Sequence, residues 1–452
     1  MLKDKMRWIY MADLLADEYR QCLLEGREVE GYREEMERIL NLSPGQEKEE
    51  QAAGLIRKME KAPIKAEYSY KEPTGWEGIQ KVLPEGHGRE YPVPKNAVYE
   101  KVKGAWYGRA AGCLLGIPVE NWTRKKIADY LKDTNQAPLR DYINDTDRSE
   151  LMEKYEIVRE DPNTSYDRQM ICWRNCVEGF PVDDDTNYSI MAIKLLERYG
   201  KDFRAMDAAE GWLLGFPAFH ACTAERVAYR NLLNGLLPPG TGLYLNPFRE
   251  WIGAQIRADV FGYVNPGKPG KAAGMAYEDA VVSHTKNGVY GEMYIAALLS
   301  LCYVDELDMR QKVELALKEI PPESRLHDGI TGICRMFGQG CTYEEMIDAV
   351  HRVYREENWF DWCYVVPNAM IVTAGVLAFG DDYDKAVTRT VLSGFDTDCN
   401  GATVGSVVGL HLGFGRLDGR WFEGLSEVRS SIHGYEKMKM EEVVDRLVEL
   451  MK

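Results

Sequence analysis

Apolar residues recur at three- and four-residue spacing along most of the chain, the period of a helix that buries one side. That spacing predicts helices at 97–116, 185–199, 205–215, 272–283, 291–303, 309–318, 343–356, 368–379, 400–413 and 438–451. Few segments alternate with a period of two, so the expected architecture is an all-α bundle. Residues 1 to about 62 carry the same helical spacing, with Trp8, Ile9, Met11, Leu14 and Leu15 on one side and Asp13, Asp17 and Glu18 on the other. They read as a helical extension. From 63 to 96, Pro63, Pro73, Pro84, Pro92 and Pro94 break the pattern, giving the composition of a linker or of irregular packing. The pattern therefore divides an extension at 1–96 from a domain at 97–430, with a closing helix at 431–452 packed on it.

Two of the expected helices carry glycine at every fourth position: Gly104, Gly108, Gly112 and Gly116 in GAWYGRAAGCLLG, and Gly401, Gly405 and Gly409 in GATVGSVVG. An interior glycine costs about 1 kcal/mol relative to alanine. A row of them on one face is compensated by close helix–helix approach. These glycines mark a tightly packed centre more than a chemistry.

Composition narrows the function classes. The 452 residues are 45% hydrophobic and 28% charged, enough to bury a large core, and the net charge of -16 disfavours wrapping nucleic acid or docking on anionic membrane. The ten cysteines show no CxxC spacing and no histidine cluster beside them, which argues against a zinc site. The charged, helix-periodic start lacks the apolar run of a secretory signal, so a cytoplasmic location is expected. The most apolar stretch, Val404 to Phe414, is broken by glycines and His411 and is too short to span a bilayer.

Two acidic clusters stand out, each at an expected helix start: Asp183, Asp184, Asp185 and Thr186 in PVDDDTNYS, and Asp396, Thr397, Asp398 and Cys399 in GFDTDCNG. A helix start uses one capping carboxylate, and its dipole favours another acid or so. Three consecutive aspartates exceed that need. Adjacent carboxylates repel unless solvated or bound to a cation, and the second cluster sits in glycine-rich apolar sequence. A hard divalent metal is the natural partner; solvated capping acids are the alternative. Glu120 follows the first glycine helix after Ile117 and Pro118 stop it, where it either aims a carboxylate into the same centre or lies on the surface. His284 reads as a helix-end cap or a ligand. Arg249 and Arg257, in NPFREWIGAQIRAD, hold phosphate or, for Arg257, pair with Asp259.

Taken together and in order, GAWYGRAAGCLLGIPVE, DDDT, SHTKNG and GFDTDCNGATVG resemble the motifs of the ADP-ribosylglycohydrolase family over roughly residues 97–420. The late motif is the most specific; the first hundred residues lie outside. The resemblance implies an orthogonal all-α bundle around two central Mg²⁺ ions, Mn²⁺ being an alternative. It implies cleavage of the glycosidic bond at ribose C1 of an ADP-ribosylated protein or an ADP-ribosyl or ribosyl small molecule. Carried over, Asp183, Asp184, Asp185, Asp396, Asp398 and Cys399 become metal ligands. Glu120 and Asp185 become catalytic. His284, Gly253, Asn287 and Gly288 become substrate contacts, and Arg257 is expected as a replacement contact in the altered phosphate loop.

Three departures bear on that reading. Asp183 and Cys399 stand where the family has hydroxyl ligands, which adds charge and a soft thiol to the metal shell. Ile252 stands where the phosphate loop has asparagine, so diphosphate recognition is expected to be weaker than metal binding. Rival readings remain: a binding or structural protein that has lost catalysis, and a terpene-synthase-like diphosphate enzyme, although DDDTN lacks that motif's fifth-position acid. A phosphatase reading of FDTD requires a preceding buried strand, for which AVTRTVLSG is too short and mixed.

Overall fold

In a computed structural model, residues 6–157 and 173–452 are described; Met1–Lys5 and Cys172, both used in the sequence reading, lie outside them. The chain is all-α, with one small antiparallel pair, Glu427–Arg429 against Lys437–Lys439, in the register Glu427↔Lys439 and Arg429↔Lys437. Among the described residues, no helix is long and apolar enough to cross a membrane.

The two glycine-rich stretches form helices Val98–Gly116 and Thr397–Leu412, packed antiparallel at the centre. Their glycines face one another in order. A Cβ on Gly104 would come within 2.3 Å of the Gly409 carbonyl oxygen, one on Gly108 within 2.3 Å of that of Gly405, and one on Gly112 within 2.0 Å of that of Gly401. Real Cβ atoms do not approach so closely, so the facing pairs exist only because these six positions lack one. The register continues to Gly116, whose Cβ would meet the backbone of Thr397 and Asp398 at 2.4 Å, and the Thr397 hydroxyl donates to the Gly116 carbonyl at 2.9 Å. The end of the first helix is thereby placed beside the start of the second. That brings Glu120 towards the second acidic cluster, so glycines with no reactive group of their own set the position of groups that have one.

Helices apolar on every side surround this pair: in Lys286–Cys302 every residue from Asn287 to Cys302 is buried, and Val365–Phe379 is nearly as enclosed. The closing helix, Met440–Leu450, packs on Val98–Gly116. The helix carrying the first acidic cluster, Asp184–Tyr199, is anchored ahead of its start by Phe180, which bridges to Val428 of the small sheet.

The N-terminal helices are Met11–Leu24, Arg33–Leu40 and Gln46–Met59, packed through Leu14, Leu15, Leu55 and Ile56. Trp8 and Ile9, expected on the apolar side of the first of these, precede it in a turn. The proline-broken stretch is an irregular strap with one short helix, Trp76–Val82. It is tied down by backbone bonds from Lys71 to Glu323 (2.8 Å) and from Tyr91 to Gly267 (2.7 Å).

Candidate functional site

Both acidic clusters sit at helix starts, and the fold brings them together. Asp183 is the N-cap of Asp184–Tyr199; its carboxylate accepts from the Asp185 backbone N–H at 3.1 Å. Asp396 is the N-cap residue of Thr397–Leu412, with Asp398 and Cys399 in the first turn. Carboxylate oxygens of Asp183, Asp184, Asp185 and Asp398 lie within 4.8 Å of one another, although more than two hundred residues separate them in sequence. Asp185, Asp398 and the Cys399 sulfur form a second group of the same compactness.

The charge in this cluster is not closed by the protein. Burial, then repulsion from Asp183, Asp185 and Asp398, pushes the Asp184 carboxyl well above the usual carboxylate range. Asp185 is raised by burial too, despite the Arg109 guanidinium beside it, and Asp396 by burial and by Asp398. One oxygen of Asp185 accepts from Arg109 at 2.9 Å; the other, Oδ2, is buried with no hydrogen-bond partner. An orphaned buried carboxylate oxygen among hard donors fits a divalent cation such as Mg²⁺ or Mn²⁺.

A cavity of about 290 Å³ opens on the cluster. Glu120, Asp184, Asp396, Asp398 and Cys399 line it, with Glu225 from the helix Thr223–Leu233. Tyr188, Trp251, Trp359 and Trp362 supply aromatic surface, and Arg7 and Trp8 reach in from the N-terminal segment. Gly253 lines the wall, and a Cβ there would lie 2.4 Å from the Glu225 carboxylate. Glu225 accepts from Arg257 at 2.6 Å, yet burial still raises its carboxyl to about 7.

Other residues assigned to substrate from the sequence do not line this cavity. Arg257 is buried, paired with Asp279 at 2.5 Å and with Glu225, and it lies over the Tyr188 and Trp212 rings. Asp259, the partner expected for Arg257, instead pairs with Arg109 at 2.9 Å. His284 is fully buried, with Nδ1 2.8 Å from the Ser283 hydroxyl, and burial and Arg257 hold its imidazole well below its usual pKa. Asn287 donates to Glu72 and Glu250 and accepts from the Leu326 N–H. Gly288 makes room for the Arg249 carbonyl, 2.6 Å from where its Cβ would be. Arg249, a phosphate candidate in the sequence, is enclosed by Glu18 at 2.7 Å and Glu25 at 2.8 Å.

Sequence reasoning passed over several residues at the site. Arg109 binds the Asp185 side chain, its carbonyl (2.8 Å), the Ile256 carbonyl (2.7 Å) and Asp259, so it pins the first acidic cluster to the glycine helix. A lone arginine inside GAWYGRAAGCLLG was the available signal. Two further thiols flank the acids: Cys113 lies 3.5 Å from an Asp183 oxygen and Cys363 lies 3.8 Å from an Asp396 oxygen. Trp359 and Trp362 were visible as aromatic density in NWFDWCY.

The model of the ADP-ribosylglycohydrolase family matches residues 94–452. Among solved structures, an ADP-ribosylglycohydrolase-related protein complex aligns at 17% identity with a TM-score of 0.44, over 79% of this chain and 98% of that one, a loose likeness. No match is found among curated proteins. With the family match spanning most of its length, the chain belongs to the ADP-ribosylglycohydrolase family.

Proposed function

We propose that the protein is a divalent-metal-dependent glycohydrolase that cleaves the bond at ribose C1 of an ADP-ribosyl or ribosyl conjugate. One observation carries this reading: Asp184 and Asp398, two of the four compactly placed aspartates, line the same cavity as Glu120, and Asp185 of that group keeps a buried orphan oxygen. Asp183, Asp184, Asp185, Asp396 and Asp398 are the residues to hold the metal, with Mg²⁺ or Mn²⁺ as the ions their oxygens suit. When bound, the cation neutralises the acids and polarises ribose hydroxyls and water.

The chain's own groups have separate tasks. Glu120, in the cavity wall, takes the proton from the attacking water as the oxocarbenium-like carbon is approached. Arg109 fixes Asp185 so that only Oδ2 remains for the metal. At the first helix start the Asp185 backbone N–H donates to the Asp183 carboxylate and holds it in place. The tryptophans exclude water from one side of the cavity.

Mass spectrometry of the purified protein with magnesium and a panel of ADP-ribosyl and ribosyl conjugates tests the reading. Release of free ribose or ADP-ribose is expected, abolished by chelator, and lowered about 10²–10⁴-fold in Glu120→Gln with the melting temperature unchanged. Absence of hydrolysis across the panel by metal-loaded protein would contradict it.

A further inference from the structure

Arg7 and Trp8 stand in the wall of the acidic cavity, yet they precede residues 94–452, the span of the family match. Trp8 has φ 63°, a left-handed backbone conformation that a bulky side chain rarely adopts. It is held there from outside the cavity. The Arg230 guanidinium donates to the Ile9 carbonyl at 3.3 Å, and the Arg226 guanidinium lies over the Trp8 ring, 5.6 Å from its centroid. Arg226 is itself fixed by bonds to the carbonyls of Ala221 (2.9 Å) and Phe219 (2.8 Å). Arg226 is not among the residues that line the cavity.

The cavity's other contents define what this segment faces. Trp359 stacks on Trp362 at 5.4 Å and meets Trp251 edge-on at 5.5 Å, giving a rigid aromatic wall. Among the described residues that line the cavity, Arg7 is the sole arginine or lysine, against five carboxylates. Arg249, Arg257 and Arg325 are enclosed by carboxylates and none of them lines it. An anionic group on a ligand therefore has Arg7 as its cationic side-chain partner there. The volume, about 290 Å³, lies at the low end for small-molecule sites.

Resting on the glycohydrolase reading above, we propose that Trp8 and Arg7 form a selectivity subsite for a small nucleotide-like substrate, a riboside carrying a planar aromatic ring and a phosphate. Trp8 stacks the ring and Arg7 meets the phosphate. Stacking tolerates any aromatic ring, whereas the guanidinium discriminates charge, so the two contributions separate by ligand. With this segment in place, the cavity suits a free small molecule better than a sugar attached to a protein surface.

Three probes test this on the full chain with magnesium, by titration calorimetry: adenosine 5′-monophosphate, adenosine and ribose 5-phosphate. Trp8→Ala is expected to weaken the nucleotide and adenosine roughly tenfold and to leave ribose 5-phosphate unchanged, with Trp8→Phe restoring most of the loss. Arg7→Ala is expected to weaken the nucleotide and ribose 5-phosphate by a similar factor and to leave adenosine unchanged. Should Trp8→Ala melt lower, Trp8→Leu keeps the bulk without the aromatic face, and the same selective loss is expected. Wild-type affinities for all three probes in both variants, equal weakening of all three in Trp8→Leu, or no binding of the nucleotide by wild type would overturn the subsite. Binding is read without turnover, so nucleotide binding through Trp8 without hydrolysis refutes the glycohydrolase reading alone, and hydrolysis indifferent to both residues refutes the subsite alone.

Discussion

Buried charge takes two forms in this protein. On the side that receives the N-terminal segment, cations are enclosed by acids: Arg249 by Glu18 and Glu25, and Arg325 by Glu72 at 2.6 Å and Glu250 at 2.8 Å. At the centre, acids crowd together with one guanidinium, Arg109, already shared between Asp185 and Asp259. The first arrangement is complete within the chain. The second leaves desolvated carboxylates crowded together, a repulsion that protonation or a bound cation relieves. Carboxylates at 0–3% exposure, Glu18, Glu25 and Glu250 in one region and Asp183, Asp185 and Asp398 in the other, are thus paired with arginine in the first and crowded together in the second.

The largest expected contrast is in stability. Arg325→Met leaves Glu72 and Glu250 without their cation and should cost about 3–5 kcal/mol, read as a lower denaturant midpoint whether or not magnesium is present. Asp184→Asn should do the opposite in metal-free protein, raising the melting temperature by relieving repulsion, while shrinking the rise that magnesium produces. If both variants lower stability alike and independently of magnesium, the two regions do not differ in kind.

Next in size is the pH response. Asp184, Asp185 and Asp396 have raised carboxyl pKa values in the folded, metal-free chain, and Glu225 is raised from 4.5 to about 7. An acid with a raised folded-state pKa favours folding fully below its unfolded value and loses that contribution as pH rises through the folded one. Metal-free protein should accordingly melt lower as pH rises from near 4 through 7, and magnesium should flatten the decline. A melting temperature that rises across that window would contradict the assignment.

The smallest effect concerns metal preference. The Cys399 sulfur lies with Asp185 and Asp398, and burial followed by those acids' neighbourhood pushes its thiol well above its usual pKa. A soft donor beside hard ones should leave activity with manganese equal to or above that with magnesium, and Cys399→Thr should shift the ratio a few-fold back toward magnesium. Metal-dependence curves of the two proteins check this; identical ratios mean that the sulfur does not tune the site.

Periodicity made the helices legible wherever burial was one-sided or complete, as in Asp184–Tyr199 and Lys286–Cys302. It failed for Thr223–Leu233, whose Glu225, Arg226 and Arg230 make it look like solvent-facing sequence although Glu225 and Arg226 are buried. Arg325–Gly338 was obscured by Gly329, Gly332 and Gly338. The clustered aspartates were visible because excess negative charge at a helix start is a local anomaly. Partners of buried arginines were not: Arg325 meets Glu72 across 253 residues, and Arg257 bypasses its near neighbour Asp259 for Asp279 and Glu225. Such pairings are settled by packing between elements, which leaves no trace in spacing. The same holds for Arg7 and Trp8, which reach the cavity only because the N-terminal helices fold back beside it.

The central claim is that the converging aspartates bind divalent metal, and titration calorimetry of magnesium into metal-free wild type and Asp398→Asn tests it most directly. The account predicts saturable binding to wild type and a loss of roughly tenfold or more in the variant, because one carboxylate of a compact shell is removed. Magnesium affinity that is the same in both proteins, or absent from wild type, would contradict it.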